Sequence, residues 1–185
     1  MTQPGVLLYF EDEAPAALRL AEASGLEPQQ VHRHRFPDGE MQLTLPARLP
    51  PRVVLLRSLH QPHDKLTELL LAAPTARQLG AVHLSLVAPY LAYMRQDKAF
   101  APGQAVSQRI VGAWLATLFD AVITVDPHLH RVTTLAEVVP AQQAITLSAA
   151  PLLGNWIAKH RPGAFLLGPD SESAQWISQA ATAYG

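Results

Sequence analysis

The sequence predicts an α/β protein in which helices flank a mostly parallel β-sheet. Short apolar, β-branched runs alternate along the chain with longer segments of helical periodicity, which is the pattern of a βαβ architecture. The apolar runs are almost uninterrupted by polar residues, as is typical of parallel strands covered on both faces. The exception is a β-hairpin predicted around residues 31–45, which would form a flap beside the sheet.

In chain order, the first elements are a strand, a helix and this hairpin. The apolar run GVLLYF (5–10) predicts a strand. APAALRLAEAS (14–24) predicts an amphipathic helix that ends where Gly25 follows. VHRHRF (31–36) and EMQLTL (40–45) predict the two arms of the hairpin, because a Pro-Asp-Gly turn separates them.

The middle of the chain supplies two further strands and the helix between them. RVVLLRSL (52–59) and VHLSLVAPY (82–90) are apolar runs that predict strands. DKLTELLLAAPTARQL (64–79) predicts a helix. Pro74 lies inside it and should produce a kink, because proline cannot donate the backbone hydrogen bond.

The last third continues the alternation. SQRIVGAWLATLF (107–119) predicts a helix and AVITVD (121–126) a strand. PLLGNWIAKH (151–160) predicts a short helix, AFLLGPD (164–170) a strand, and SESAQWISQAATAY (171–184) a final helix.

Composition excludes several classes of protein. Charged residues make up 16% of the chain, against about 25% in typical globular proteins, so we expect another subunit or domain to cover part of the surface. The net charge of −1 argues against nucleic-acid binding, and the absence of cysteine excludes disulfides and thiolate metal sites. The N-terminal segment has no basic region before its apolar run, and no run approaches the roughly 18 residues of a membrane span. We therefore expect a soluble cytoplasmic protein.

The candidate site lies at the carboxyl ends of the strands, where open parallel sheets bind ligands. Four strand ends are polar: RSLHQPHD (57–64), APYLAYMRQDK (88–98), TVDPHLH (124–130) and LLGPDSES (166–173). The hairpin adds RFPDGE (35–40), whose Pro-Asp-Gly could be an ordinary turn or part of a site. His32 and His34 precede it on one face of a strand, and we interpret them as surface or interface residues.

The loop with MRQDK carries a guanidinium, an amide, a carboxylate and an ammonium, from Arg95, Gln96, Asp97 and Lys98. Arginine suits phosphate and flat rings, and glutamine can contact the edge of a base. The same sequence is equally compatible with a solvated loop after a strand.

VDPHLH places Asp126 and His128 two residues apart, so both would point the same way if the strand continued. Together they could share a divalent ion. Magnesium prefers oxygen ligands, so His128 would contribute little to such a site. Zinc would need a third ligand, for which His130 is available. The alternative is a strand end with hydrogen-bonded histidines.

Two other segments have simpler interpretations beside the functional one. In GPDSES, Asp170 or Ser171 is a candidate N-cap of the last helix, although Asp170 could also hold a metal ion. In SLHQPHDK, His60 and His63 could form a metal site, but capping of the following helix by Asp64 is the simpler interpretation. Neither the P-loop pattern nor the G-x-G-x-x-G fingerprint occurs in the chain.

Taken together, these segments resemble the ribose-phosphate pyrophosphokinase (phosphoribosyl-diphosphate synthetase) family. RFPDGE resembles the family's R-F-x-D-G-E hairpin, and RSLHQPHDKLTELL resembles Q-S-x-x-x-P-x-N-D-x-L-M-E-L. APYLAYMRQDK, ITVDPHLH and LLGPDSES resemble I-P-Y-F-x-Y-A-R-Q-D-[RK], I-T-x-D-L-H-x-x-Q and V-S-P-D-x-G-G. The five blocks follow the family's order and spacing, as expected for the N-terminal half of a divergent member.

The resemblance implies a fold, a reaction and partners. The fold is type I phosphoribosyltransferase-like, with an N-terminal domain at residues 1–150 and the start of a truncated second domain at 151–185. With Mg²⁺ the family transfers the diphosphoryl group of ATP to ribose 5-phosphate, giving 5-phosphoribosyl 1-diphosphate for nucleotide biosynthesis. Its members form homo-oligomers, dimers or larger, and no nucleic acid or membrane takes part.

The resemblance also implies roles for individual residues. Phe36 would stack on adenine, which Asp38 and Glu40 would hydrogen-bond, and this contact could cross a subunit interface. The full set of implied ATP-binding residues is Phe36, Asp38, Gly39, Glu40, Arg95, Gln96, Asp97 and Lys98. The implied metal-binding residues are Asp126, His128 and Asp170.

Departures from the family pattern limit what this chain can do alone. The family's catalytic lysine segment and its D-D-x-x-x-T-G-G-T loop for ribose 5-phosphate do not occur in these residues. We therefore expect the chain by itself to be inactive, with the catalytic lysine downstream. Glu172-Ser173 replaces the Gly-Gly pair, and His63 replaces an asparagine. The alternative function is a non-catalytic nucleotide-binding or regulatory subunit that assembles with a full-length synthetase.

Overall fold

The computed structural model describes residues 5–185. The strands are β1 (Val6–Phe10), β2 (Glu27–Arg35), β3 (Met41–Thr44), β4 (Arg52–Leu56), β5 (His83–Ala88), β6 (Ala121–Val125) and β7 (Gln143–Leu147). The helices are α1 (Ala14–Ser24), α2 (Pro62–Gln78), α3 (Ser107–Leu118), α4 (Ala150–His160) and α5 (Ala174–Tyr184). Residues 1–4, on which part of the expectation about the N-terminal segment falls, lie outside the described residues.

The strands form one seven-stranded sheet in the order β3-β2-β1-β4-β5-β6-β7. β1 pairs in parallel with β2 and with β4, and β5 pairs in parallel with β4 and with β6. β2 and β3 pair antiparallel, from His32 opposite Thr44 to Arg35 opposite Met41. The predicted mostly parallel sheet and the hairpin around residues 31–45 are therefore confirmed.

Apolar side chains cover both faces of the sheet. Leu8 and Leu55 pack in the large cluster with residues of α2 and α3, whereas Leu7 and Leu56 pack in a second cluster with residues of α1. Neighbouring residues of a strand point to opposite faces, so the central strands β1, β4 and β5 contribute to both clusters. This explains why the strands appear in the sequence as continuous apolar runs rather than alternating ones.

The chain divides into two compact units, one ending at Ile145 and the other spanning Thr146–Gly185. In the second unit α4 packs on α5, and a Cβ at Gly154 would lie 2.1 Å from the carbonyl oxygen of Ala180. Glycine at this position therefore permits the close approach of the two helices.

The strand predicted at 164–170 is wrong. These residues form no strand in the described structure, and the side chains of Phe165 and Leu167 are almost fully exposed. A strand needs a neighbour that satisfies its backbone hydrogen bonds, and periodicity alone does not show whether one is present. Conversely, β7 was not predicted, because its residues are largely exposed and lack a buried apolar run.

Asp120 connects three parts of the first unit at the amino ends of the strands. Its Oδ2 accepts hydrogen bonds from the backbone N–H of Leu84 and from Nη2 of Arg77, both at 2.7 Å. Burial acts to raise the pKa of Asp120, but the Leu84 N–H and the Arg77 guanidinium outweigh it, so the pKa is lowered. The carboxylate therefore stabilises the fold in its charged form.

Replacing this carboxylate by an amide should remove a pH-dependent part of the stability. Because the pKa of Asp120 is lower in the folded state, its contribution is present above the unfolded value of about 3.9 and is lost as pH falls through the folded value. We expect Asp120→Asn to lower the free energy of unfolding by about 1.5–3 kcal/mol at pH 7. The difference from the parent should shrink below pH 4.

Urea unfolding at a series of pH values measures this difference. Glu22→Gln, on the exposed side of α1, is the matched control and should change the free energy of unfolding by less than about 0.5 kcal/mol. If the free energy of unfolding of Asp120→Asn stays below that of the parent by a constant amount down to pH 3, the stabilising role of the charged Asp120 is contradicted.

Candidate functional site

A buried arginine lies at the point where the strand order of the sheet reverses. β2 extends the sheet from β1 on one side, and β5 extends it from β4 on the other. Arg57 directly follows β4 and is 1% exposed. Its guanidinium donates to three carboxylates, which are Glu68 Oε2 at 2.6 Å, Asp12 Oδ2 at 2.7 Å and Glu13 Oε2 at 3.2 Å. The crevice that often binds ligands in such sheets therefore holds charges of the protein itself.

Several contacts keep Arg57 ionised despite its burial. Burial acts to lower the pKa of Arg57, but the hydrogen bonds to Asp12 and Glu68 outweigh it and raise the pKa. The guanidinium carbon also lies 4.5 Å from the centre of the Phe10 ring, in a cation–π contact. Glu68 is completely buried. Arg57 and Glu68 are strongly coupled, because each would be an unpaired buried charge without the other.

The Arg57 network was missed by sequence reasoning. The partners of Arg57 are 11, 44 and 45 residues away in the sequence, so no local motif links them. One signal was available: Arg57 directly follows the apolar run VVLL, and Glu68 lies beside apolar residues of a predicted helix. A charged residue at a buried position indicates a paired charge.

Lys65 is a further cation beside this network. Its Nζ donates to the Ser58 carbonyl oxygen at 2.7 Å and lies 3.3 Å from both ring nitrogens of His60. Burial lowers the pKa of Lys65, and the nearby charge of Arg57 lowers it further. A cavity of about 250 Å³ adjoins this loop and is lined by His60, Gln61, Pro62, Tyr90, Ala92 and Tyr93.

The loop after β5 presents the four predicted ATP-binding residues around a fixed backbone. Arg95 and Lys98 are exposed and Gln96 is half-buried, whereas the side chain of Asp97 is almost fully buried. Gln96 Nε2 donates to the Lys98 carbonyl oxygen at 3.0 Å. The buried Gln108 of α3 donates from Nε2 to the carbonyl oxygen of Met94, also at 3.0 Å, and so anchors the start of the loop.

The loop after β6 is joined to the loop after β5 by an ion pair. Arg131 Nε lies 3.3 Å from the carboxylate of Asp97, whose side chain is 6% exposed. In the same loop His130 Nε2 lies 3.1 Å from His128 Nδ1, with the ring planes nearly perpendicular. The structure thus brings the predicted ATP-binding loop and the predicted metal-binding loop together. Arg131 was not singled out from the sequence, because its partner is 34 residues away.

The donor set at these loops suits magnesium better than zinc. Within residues 5–185 no group of three or more His, Asp or Glu side chains is arranged to hold a metal ion. A zinc site built by the protein needs three or four ligands. Magnesium instead keeps several waters and binds through one or two carboxylates together with substrate phosphates. Asp126 offers one such carboxylate, with His128 as a minor ligand beside it.

Three loops at the carboxyl ends of the strands contain a non-glycine residue with positive φ. Among the described residues these are Gln61 after β4 (φ 52°), Tyr93 after β5 (φ 63°) and Asp126 after β6 (φ 42°). Such a conformation costs about 1–3 kcal/mol, and it is found more often at functional sites than elsewhere. All three loops with a positive φ thus also carry candidate site residues.

The hairpin tip holds the first candidate segment in a closed turn. The Phe36 N–H donates to the Glu40 carbonyl oxygen at 2.8 Å, and the Glu40 N–H donates to Asp38 Oδ1 at 3.1 Å. Gly39 has φ 95°, which favours glycine at this position. The Phe36 ring is 41% exposed and contacts the edge of the His34 ring. The tip therefore presents an aromatic ring beside two acidic residues.

Two expectations about helix capping have different outcomes. Capping of α2 by Asp64 is wrong, because Asp64 lies within the helix, where its carboxylate pairs with Arg35 Nη2 at 2.5 Å. Capping by Asp170 is confirmed in part: its Oδ1 accepts from the Ser173 N–H at 2.9 Å and caps the short 3-10 turn Ser171–Ser173, whereas Ser173 occupies the N-cap position of α5 itself. Asp170 belongs to the second unit, so its role in metal binding stays a prediction.

The fold places the protein in a known structural class. A crystal structure of phosphoribosylpyrophosphate synthetase from Mycobacterium smegmatis matches the chain with a TM-score of 0.82 at 20% sequence identity. The match covers 97% of this chain and 61% of the other. The architecture is therefore type I phosphoribosyltransferase-like, as expected from the sequence.

Sequence comparison then defines the family. Residues 6–118 match the family model described as the N-terminal domain of ribose phosphate pyrophosphokinase. The chain is 37% identical over 184 residues to the ribose-phosphate pyrophosphokinase of Methanopyrus kandleri, and 32% identical over 180 residues to that of Halobacterium salinarum. It belongs to the ribose-phosphate pyrophosphokinase family. Each match covers 97% of this chain but 62% and 63% of these relatives, so the chain spans less than two thirds of their length.

None of the helices within residues 5–185 combines the length and the apolar character needed to cross a bilayer.

Replacement of the buried arginine should destabilise the first unit strongly. Arg57→Met keeps an unbranched side chain but removes the charge, which leaves Asp12, Glu13 and Glu68 with less compensating charge. Removing one partner of a buried ion pair costs about 3–5 kcal/mol, and we expect a loss of this size in the free energy of unfolding measured in urea. Arg52→Met, at an exposed position at the start of β4, should cost less than about 1 kcal/mol. Equal losses for the two variants would show that Arg57 is not a structural centre.

Proposed function

We propose that this chain is the ATP-binding part of a ribose-phosphate diphosphokinase. In this function the diphosphoryl group of ATP is transferred to the 1-hydroxyl of ribose 5-phosphate, giving 5-phosphoribosyl 1-diphosphate. Family membership supports the reaction class. One observation carries the assignment to this chain. The ion pair of Asp97 and Arg131 joins the loop of residues 95–98 to the loop of His128.

The proposed nucleotide site uses two surfaces of the first unit. At the hairpin, Phe36 stacks on adenine while Asp38 and Glu40 accept hydrogen bonds from its amino group, and Gly39 permits the turn that presents them. At the loop after β5, Gln96 contacts the base, and Arg95 and Lys98 contact phosphates. Asp97 acts by holding the loop against Arg131. Such transfers depend mainly on positioning and on neutralisation of charge, which these side chains can supply.

Asp126 and His128 are the proposed magnesium ligands in the first unit. A bound magnesium ion would neutralise the charge that develops on the triphosphate during transfer. His128 is oriented by the contact of its Nδ1 with His130 Nε2, which fixes the direction of the other ring nitrogen. Asp170 is proposed as a separate ligand, near the hydroxyl groups of ribose 5-phosphate.

The acceptor site and the remaining catalytic groups are proposed to lie outside these residues. The chain covers 62% of the length of its Methanopyrus relative. The second unit exposes large apolar side chains, including Trp156, Phe165 and Leu167. These observations support the proposal that residues 151–185 begin a second phosphoribosyltransferase-like domain, that the chain alone is inactive, and that the whole protein forms a homo-oligomer.

Titration calorimetry with magnesium-ATP tests the nucleotide assignment. We expect the chain to bind ATP, and ribose 5-phosphate alone to give no binding heat. Arg95→Ala should weaken ATP binding by about tenfold or more, because a hydrogen bond to a charged group contributes about 1.5–3 kcal/mol. Arg48→Ala, at an exposed position outside the site, is the control and should bind like the parent. Unchanged affinity of Arg95→Ala would refute the phosphate role of this loop.

The metal assignment is tested by repeating the titration without magnesium. His128→Ala should weaken ATP binding in magnesium buffer and have little effect in buffer with a chelator, because the side chain acts through the ion. His83→Ala, at the amino end of β5 on the opposite edge of the sheet, should behave like the parent in both buffers. A loss of equal size in the two buffers would mean that His128 contacts the nucleotide directly or supports the fold.

A further inference from the structure

The outer part of the hairpin extends beyond the strand that connects it to the rest of the sheet. β2 pairs with β1 from Glu27 to Val31, where the register ends opposite Phe10. The residues that follow, His32 to Arg35, pair with β3, which is the edge strand of the described sheet. The tip at residues 36–40 is therefore carried by a hairpin arm, residues 32–35 and 41–44, that does not pair with β1. Backbone pairing with β1 does not determine the orientation of this arm.

Two arginines on this arm contact two acidic residues of α2. Arg33 pairs with Glu68, and Arg35 pairs with Asp64. Residues two apart in a strand point the same way and are about 6.6 Å apart. Residues four apart in a helix share a face and are separated by about 6 Å along its axis. The two spacings match, so the arm and the helix face each other through two parallel ion pairs.

The two ion pairs differ sharply in burial. The side chains of Arg35 and Asp64 are 49% and 60% exposed, and exposed pairs contribute little to structure. The side chain of Glu68 is fully buried, and Arg33 is 33% exposed. Glu68 also connects the arm to the interior, because its Oε1 accepts from Arg33 while its Oε2 accepts from Arg57 at 2.6 Å.

We propose that Arg33 and Glu68 are positioning residues: through the buried Arg57 they set the orientation of the hairpin arm that carries Phe36, Asp38 and Glu40. This inference rests on the proposed function for its consequence, since the tip is the proposed adenine-binding surface. The placement of the arm itself does not depend on any ligand. The Arg33–Glu68 pair therefore acts on nucleotide affinity through the position of the tip, and not by touching the nucleotide.

Because Glu68 accepts from two arginines, the arm can be released without unfolding the protein. Three cations, Arg33, Arg57 and Lys65, face three carboxylates, Asp12, Glu13 and Glu68. If Arg33 is neutralised, Glu68 keeps its bond to Arg57 and does not become an unpaired buried charge. The arm, in contrast, loses its ion pair with a buried carboxylate of α2, and it keeps the exposed pair of Arg35 and the packing of Leu43 against the large cluster.

The absence of cysteine allows the position of the arm to be measured directly. Spin labels at Gln42→Cys on β3 and Gln78→Cys at the end of α2 occupy exposed positions outside the proposed site. Gln78 lies ten residues beyond Glu68, or about 15 Å along the helix, which gives a distance that pulsed electron spin resonance can measure. We expect one narrow distance distribution for the doubly labelled parent.

Three variants in this background separate the buried pair from the exposed one. Arg33→Gln should at least double the width of the distribution, whereas Arg35→Gln should leave it close to that of the parent. Arg33→Lys keeps the charge and should restore most of the narrow distribution. An unchanged distribution for Arg33→Gln, or equal broadening for Arg35→Gln, would overturn the proposal. Should Arg33→Gln fail to unfold cooperatively in urea, Arg33→Met takes its place, since it also removes the charge, and it should broaden the distribution in the same way.

Titration of the same variants with magnesium-ATP links the arm to the proposed function. If the oriented arm is the binding-competent form, a variant in which it is populated a third of the time should bind about threefold more weakly. We expect this loss for Arg33→Gln and not for Arg35→Gln. If the parent does not bind ATP, the proposed function fails while the distance measurements still test the positioning role. If the distance distribution broadens in Arg33→Gln while the ATP affinity is unchanged, the link between the arm position and nucleotide binding is refuted.

Discussion

The ionised guanidinium of Arg57, buried at the reversal point of the sheet, is the interaction on which the rest of the structure depends. An uncompensated charge in such a place would cost several kcal/mol, so carboxylates from two separate segments must converge on it. Their convergence fixes the turn after β1, the first turns of α2 and the loop after β4 relative to one another. The same network occupies the usual ligand crevice, which directs the proposed nucleotide site to the ends of β5 and β6 and to the hairpin.

Parts of the candidate site are thus held by electrostatic contacts between segments that are far apart in the sequence. Asp97 and Arg131 join two loops across adjacent strand ends, and Glu68 joins the hairpin to the interior. The loops after β4, β5 and β6 also contain backbone conformations that ordinary residues adopt at a cost. Surrounding contacts must offset that cost, and the buried ion pairs and the anchoring of Met94 by Gln108 are contacts of this kind.

What the sequence predicted correctly is what local patterns determine. Apolar runs predicted β1, β4, β5 and β6 because these strands are largely buried, and the Pro-Asp-Gly turn predicted the hairpin. Asp170 was identified as a cap because a cap and its helix are adjacent in the chain. The errors involve partners that are distant or absent. The segment 164–170 has no neighbouring strand in the described structure, and Asp64 forms an ion pair with Arg35 instead of a cap. The partners of Arg57 lie up to 45 residues away in the sequence.

The equal numbers of cations and carboxylates around Arg57 also constrain how sequences of this kind can diverge. A single neutral substitution at Arg57 or Glu68 leaves an excess of one charge in a place that water does not reach, whereas a second substitution of opposite sign restores neutrality. Such positions should therefore change in compensating pairs over evolutionary time, or lose charge together in favour of apolar side chains of similar volume. Arg33, being partly exposed, can vary first, so a lineage could alter the hairpin before it alters the interior.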